Sequence, residues 1–268
     1  MIDHMFIHGC SHTAAVELPS WENNEQGLPS KDSLIRDIPQ RCYEDSWANQ
    51  LGVKLDMKKI INYAVPGSSN DYITEETIRY VSKLTLAQRE RLFVVIGWTS
   101  PDRLFLKSDE PGENRWGGYY MFIPGLLDRK VGKNLQLMKP RHEAMYRELL
   151  RTDWGSWRAA QYRLLLSHFT LQSFLEKMSV KYLFVNMLEN FQMPIIKLKT
   201  KTIALYNVLN LKNIYKGGTE EGCYYKRFKK DPNTEWAINH HVAKSGQDKF
   251  AREVYDYVRQ NDILLRKE

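Results

Sequence analysis

The feature of this sequence that most restricts its fold is the run LFVVI at residues 92–96. Five consecutive apolar residues leave no polar face for solvent, which is typical of a central strand in a parallel sheet that is covered on both faces. Further strand-like patterns occur at residues 5–8, 59–64 and 182–186. The sequence therefore predicts a sheet of at least four strands.

Helical patterns lie between the predicted strands. They cover residues 46–51, 71–84 and 157–178, and a last helix is predicted to begin near Ser245. Ser245 and Asp248 have the spacing of a capping box. The helical pattern at residues 157–178 predicts an apolar stripe that begins with Tyr162, Leu165, Leu166 and Phe169. Alternating strands and helices predict an α/β fold with crossover helices.

Chain length favours one domain over residues 1–268, since single hydrophobic cores stop growing at roughly 250–300 residues. Residues 101–155 are rich in Gly, Pro, Trp and charge, and we expect them to form a long insertion after the third strand. Hydrophobic residues make up 43% of the chain, which excludes wholesale disorder.

The charge balance permits an acidic partner without requiring one. Thirty-nine Lys and Arg against 32 Asp and Glu give a formal net charge of +7. Basic residues cluster at 197–201 and 226–230, where they form either an anion-binding patch or a solvated face. Nucleic acid is not an expected partner, because no recognised nucleic-acid module is present.

The three cysteines, Cys10, Cys42 and Cys223, have neither metal-type nor redox-type spacing. Their odd number favours a reduced, cytoplasmic protein over a secreted disulfide scaffold. We find no apolar run of membrane-spanning length and no signal-peptide pattern, so no membrane association is expected.

The first predicted strand ends in the sequence GCSHT, residues 9–13. The carboxyl end of a strand is where α/β sheets present reactive groups, so Ser11 is a candidate nucleophile, although such a serine often only caps a helix. Cys10, on the opposite side of the strand end, is predicted to be a buried thiol. His4, His8 and His12 are spaced by four, but no carboxylate cluster accompanies them and no metal is expected.

Three later segments add groups that suit the same chemistry. The segment NYAVPGSSND, residues 62–71, contains Gly67, whose backbone N–H a ligand can approach closely, and predicts that Asn70 or Asp71 caps the following helix. The segment GWTSP, residues 97–101, places two hydroxyls at the next strand end. Near the C-terminus, the segment NHHVAKSG contains His241, which can deprotonate a serine.

This order of segments resembles the SGNH (GDSL-type) hydrolase family, and most closely its divergent members encoded in bacteriophage genomes. The resemblance rests on GCSHT at 9–13, NYAVPGSSND at 62–71 and WTSPDR at 98–103, with SW at 46–47 and LG at 51–52. It implies a three-layer α/β/α sandwich with a flavodoxin-like parallel sheet. It also implies hydrolysis of an ester without a cofactor.

Position by position, the resemblance implies that Ser11 is the nucleophile and that His241, five residues before Gly246, is the general base. The backbone N–H groups of Ser11 and Gly67 would form the oxyanion hole. Thr99 stands where the family has an Asn, and losing one oxyanion donor typically costs about 10²–10³ in rate. Asn239 stands where the family has an Asp, and an Asp-to-Asn change costs a triad enzyme about 10⁴.

Two functions remain open from the sequence. The first is a carbohydrate O-deacetylase-like esterase with a Ser–His dyad, in which Asn70, Trp98 and Ser100 bind substrate. Aromatic residues of the insertion would form a sugar-stacking wall together with Trp98, namely Trp116, Tyr119 and Tyr120. The second is a catalytically weak or inactive SGNH fold that serves as a structural or binding protein. As a component of a phage particle, such a protein would assemble with itself or with other virion proteins.

Overall fold

The computed structural model describes residues 2–15, 44–107, 119–122, 144, 147–148, 151–197, 199–237 and 241–265. Its strands are β1 (His4–Gly9), β2 (Lys59–Asn62), β3 (Leu92–Trp98), β4 (Leu104–Lys107), β5 (Tyr119–Phe122) and β6 (Lys181–Asn186). Its α-helices are α1 (Ser11–Ala14), α2 (Trp47–Lys54), α3 (Asn70–Ser82), α4 (Leu86–Glu90), α5 (Trp157–Lys177), α6 (Met193–Ile196), α7 (Thr200–Asn207), α8 (Tyr224–Lys230) and α9 (Lys244–Gln260). The alternation predicted from the sequence is confirmed.

Four parallel strands form the main sheet in the order β2-β1-β3-β6. A single parallel bridge between Phe184 and Ile214 extends the pairing beyond β6. This order is that of a flavodoxin-like sheet, whose fifth strand is represented here by one bridge. Gly9 is paired with Gly97, and Trp98 is paired with Asn186, so the carboxyl ends of β1, β3 and β6 lie at the same edge.

Both faces of the sheet are covered, because successive residues of a strand point to opposite sides. On one face, Met5 and Ile7 pack in a core with residues of α2 and α9. On the other face, Phe6 packs in a second core with residues of α3 and α5. All seven residues of β3 are buried. The predicted three-layer α/β/α sandwich is therefore confirmed.

Three local expectations from the sequence are wrong. Ser69, rather than Asn70 or Asp71, caps α3, and its side chain accepts a hydrogen bond from the Tyr72 N–H. Helix α9 begins at Lys244 with Ala243 at its N-cap, so Ser245 does not cap the helix, and the Ser245 hydroxyl donates to Glu235. In α5 the predicted apolar stripe is wrong at Tyr162 and Leu166, which are exposed, whereas Leu165 and Phe169 pack in the core as predicted.

Within residues 101–155, β4 and β5 form an antiparallel pair that is separate from the main sheet. None of the helices in the described ranges is long and apolar enough to cross a membrane.

The basic run at 226–230 lies in α8, where most of its charges have acidic partners. Lys226 lies 2.6 Å from Glu189, and Lys230 lies 3.1 Å from Glu220. Arg227 forms an ion pair with Glu253. Because three of the four cations of the run are paired within the chain, the run is better interpreted as a helix face than as an anion-binding patch.

Candidate functional site

The candidate site lies at the carboxyl ends of β1 and β3. The chain leaves β1 towards β2 on one side and leaves β3 towards β6 on the other, so these two strands border the point at which the strand order reverses. Ligands of open α/β sheets bind in the crevice at this point. Ser11, the first residue of α1, is partly exposed there.

Two glycines let α1 pack directly on the strand ends. A Cβ atom added to Gly9 would lie 2.3 Å from Thr13 Oγ1, and one added to Gly97 would lie 2.0 Å from the same atom. Any larger residue at either position would displace the helix that carries Ser11. Cys10 is fully buried in the core, which confirms the thiol predicted from the sequence.

The side chain of Asn70 joins the segment at residues 62–71 to the segment at residues 97–101. The Thr99 N–H donates to Asn70 Oδ1 at 2.9 Å, and Asn70 Nδ2 donates to the Thr99 carbonyl at 3.3 Å. Both ends of this amide therefore bind the backbone of the neighbouring loop. Asn70 is predicted from the sequence to bind substrate, but this geometry gives it a scaffolding task.

The proposed oxyanion donors lie on these segments. Gly67 has φ of 81°, a left-handed conformation that suits glycine. Neither the Ser11 N–H nor the Gly67 N–H donates a hydrogen bond to another described residue. Thr99 is 1% exposed, and its Oγ1 has no hydrogen-bond partner among the residues that the structure describes. These groups can therefore still donate to a ligand.

His241 lies beside α1 although it follows Ser11 by 230 positions in the sequence. Its ring centroid is 4.4 Å from that of His12, with an interplanar angle of 34°. Its backbone is paired locally, because the Ala237 N–H donates to the His241 carbonyl at 2.8 Å. Asn239, the predicted orienting residue, lies outside the described residues, as does His240.

Sequence reasoning did not assign His12 to the site. The side chain is 6% exposed, and the rings of Tyr224 and Tyr225 each lie 5.8 Å from it. Burial, followed by the charges of His241 and Arg103, holds the pKa of His12 well below its usual value. His12 is therefore neutral near pH 7. The sequence indicates this role only by placing His12 directly after Ser11, the candidate nucleophile.

Trp98 does not line the crevice. It is fully buried, and its ring packs 4.7 Å from His168 and 5.3 Å from Phe184. The expectation that Trp98 stacks on a sugar is therefore wrong, because no ligand reaches a side chain without exposed surface. The side chains of the insertion that were predicted to join it lie outside the described part: Trp116, Tyr119 and Tyr120.

An aromatic pair, Trp236 and Tyr225, precedes His241 in the sequence. Trp236 is 38% exposed and lies 5.8 Å from Tyr225, the neighbour of His12. Trp236 also forms a bridge with Val242, the residue after His241. Ser100, the third predicted substrate ligand, follows Thr99 and is partly buried.

The described residues contain no group of three or more His, Cys, Asp or Glu side chains that could hold a metal ion. His8 is buried, and its Nδ1 accepts a hydrogen bond from the Gly9 N–H at 2.8 Å. Burial lowers the pKa of His8 to about 3. This histidine serves the strand end as a neutral hydrogen-bond acceptor.

Two solved structures resemble this chain at low identity. The crystal structure of TesA is 11% identical, with a TM-score of 0.46 over 96% of this chain and 99% of that one. The lipase Lip_vut3 from a goat rumen metagenome is 12% identical, with a TM-score of 0.46 over 96% of this chain and 97% of that one. At these values neither resemblance indicates what this chain does.

None of the curated proteins compared with the chain matches it. A protein-family model, described as a family of unknown function (DUF6071), matches residues 29–268. Because that match covers most of the sequence, the chain belongs to the DUF6071 family.

Proposed function

We propose that this chain is a serine ester hydrolase in which Ser11 is the nucleophile and His241 is the general base. The observation that carries the proposal is the 4.4 Å contact between the rings of His241 and His12. Through it, the histidine of the C-terminal segment lies next to the residue that follows Ser11. Acyl transfer requires a nucleophile and a base at one site, and the topological switch point is where open α/β sheets bind their ligands.

The reaction follows from these groups. His241 takes the proton of the Ser11 hydroxyl as Oγ attacks the carbonyl carbon of the ester, and the carbonyl oxygen becomes an oxyanion. As the tetrahedral intermediate collapses, the bond to the alcohol oxygen breaks and His241 returns the proton to that oxygen. A water molecule, deprotonated by the same histidine, then releases the acid from Ser11.

The oxyanion is stabilised by the backbone N–H groups of Ser11 and Gly67, with the Thr99 hydroxyl as third donor. Their lack of other acceptors among the described residues supports this assignment. Asn239 carries no charge with which to stabilise an imidazolium. We therefore expect slower turnover than in an enzyme with an aspartate at that position, for which Asp-to-Asn changes cost about 10⁴.

The substrate that we propose is a carbohydrate carrying a small acyl group such as acetate. The support is Trp236, which is 38% exposed and pairs with Val242, the residue after His241. Aromatic rings of this kind present a flat apolar surface that suits the C–H face of a sugar.

The test is hydrolysis of p-nitrophenyl acetate and of glucose pentaacetate by the wild type, Ser11→Ala and Ser82→Ala. Ser82 is an exposed residue at the end of α3 and serves as the matched control. We expect turnover in the wild type and the control and its loss in Ser11→Ala, with covalent labelling of Ser11 by a fluorophosphonate. A folded wild type with neither turnover nor labelling would instead indicate a structural or binding protein.

The sugar half of the proposal has a separate test. Trp236→Ala should raise KM for glucose pentaacetate and leave KM for p-nitrophenyl acetate nearly unchanged. Equal effects on the two substrates would refute the stacking role of Trp236 while leaving the esterase assignment standing.

A further inference from the structure

His12 is a buried residue that the proposed reaction does not use. Its ring contacts the two tyrosines of α8 and the ring of His241, at centroid distances of 5.8, 5.8 and 4.4 Å for Tyr224, Tyr225 and His241. Because His12 belongs to α1, its backbone moves with that of Ser11. The side chain therefore connects the element that carries the nucleophile with the segment that carries the base.

The groups that face His12 leave it without charge. Arg103 and His241 both disfavour a second positive charge there, and the two tyrosines contribute their rings. Burial adds the largest effect in the same direction and holds the pKa of His12 well below its usual value. A histidine that stays neutral is a poor proton acceptor beside His241, but it keeps a flat aromatic surface.

We propose that His12 is a positioning residue, whose ring supports the ring of His241 and fixes its orientation towards Ser11. The inference rests on the proposed function. It assigns to a stacking contact the orienting task that an aspartate performs in Ser-His-Asp enzymes, where a hydrogen bond to the other ring nitrogen holds the imidazole. The tilt of 34° between the two rings is within the range of offset aromatic contacts.

The test compares a variant that keeps a flat ring with one that does not. His12→Phe retains the ring and cannot ionise, whereas His12→Leu is apolar but not planar. Because a misplacement of about 1 Å can cost about 10² in rate, we expect His12→Leu to lower kcat about tenfold with little change in KM. We expect His12→Phe to stay within about threefold of the wild type and to keep the pH profile of kcat/KM.

Thermal unfolding of each variant separates positioning from loss of structure. If His12→Leu does not fold, the polar and ringless His12→Asn takes its place with the same expected result. A second readout is the NMR signal of the His241 ring, which should keep its ring-current shift in His12→Phe and lose it in His12→Leu. A merely structural role for His12 would move neither the pH profile nor the split between kcat and KM.

Two results would overturn the inference while the proposed function stands. One is Ser11-dependent turnover that His12→Leu and His12→Asn leave unchanged. The other is loss of turnover in a folded His12→Phe, which would make His12 a proton-transfer group. Wild-type turnover that survives Ser11→Ala, or no turnover at all, would remove the proposed function and the positioning role together.

Discussion

The two sides of the candidate site are held in different ways. The nucleophile side, which consists of residues 9–13, 67–70 and 97–99, sits on the ends of adjacent strands and is joined by the Asn70 amide and by close packing of Thr13 on two glycines. The histidine side consists of residues 235–237 and 241–246, and two backbone hydrogen bonds lie within it: the Ala237 N–H donates to the His241 carbonyl, and the Ala243 N–H donates to the Glu235 carbonyl.

The geometry of the two sides therefore depends on different contacts. Strand register fixes the nucleophile side, because Gly9 and Gly97 are paired in the sheet. On the histidine side, the ring of His241 contacts that of His12, and its neighbour Val242 packs in the first core. Substitutions on the first side should therefore act on stability, and substitutions on the second side should act more on turnover.

Among the substitutions compared at neutral pH, the largest effect is expected for Gly9→Ala. The added Cβ would lie 2.7 Å from Thr13 Cβ and 2.8 Å from the Gly97 carbonyl oxygen, and backbone at a strand end cannot yield. We expect a loss of about 3 kcal/mol in the free energy of unfolding, at the upper end of overpacking effects. Urea denaturation measures this loss.

Gly97→Ala is the matched comparison. Its closest contact is the Thr13 hydroxyl at 2.0 Å, whereas Thr13 Cβ lies 3.2 Å away. Thr13→Ala should therefore recover stability in the Gly97→Ala background and recover little in the Gly9→Ala background. Equal recovery in both backgrounds would contradict the packing of α1 on β1 and β3.

Asn70→Ala should cost about 2 kcal/mol, because it removes two hydrogen bonds and leaves buried Thr99 backbone groups unpaired. The control is Asn261→Ala, which removes one hydrogen bond to the Tyr257 carbonyl near the end of the last helix. A loss no greater than that of the control would show that the nucleophile side does not depend on this link.

Gly246→Ala tests the histidine side. The added Cβ would lie 2.1 Å from Val242 Cγ1 and 3.3 Å from Phe228 Cε1, so Val242, the neighbour of His241, must move. We expect a loss of about 1–2 kcal/mol in stability and a larger proportional loss of turnover. The double variant with Val242→Ala should show favourable coupling of about 1 kcal/mol, and additive effects would speak against this contact.

The contrast between local patterns and long-range contacts also separates what could be predicted from the sequence from what could not. The strands could be predicted because apolar runs such as residues 92–96 have a local pattern, and Ser11 could be placed because it follows a strand directly. The contact of His12 with His241 and the burial of Trp98 could not be predicted, since both depend on packing between elements far apart in the chain. The pattern in 157–178 predicted a helix, but its buried face was set by the sheet beneath it.

Acid should destabilise the protein, because the histidines that the fold buries and keeps neutral bind protons once the chain unfolds. Burial lowers the pKa of His8 and of His168 to about 3, and it lowers the pKa of His12 in the same direction. An unfolded histidine titrates near pH 6.5, as roughly expected for an exposed side chain. Between these values the unfolded chain binds more protons than the folded one, so stability is complete above about pH 6.5 and is lost as the pH falls towards about 3.

Each such histidine should contribute a slope of about 1.4 kcal/mol per pH unit to the free energy of unfolding within this window. His8→Asn is the sharpest variant, because an asparagine Oδ1 can still accept the hydrogen bond that the Gly9 N–H donates to His8 Nδ1. Urea denaturation between roughly pH 4 and 6 should show the slope reduced by the share of one histidine. An unchanged slope would mean that His8, at the end of β1 on the nucleophile side, is not held neutral by the fold within this pH range.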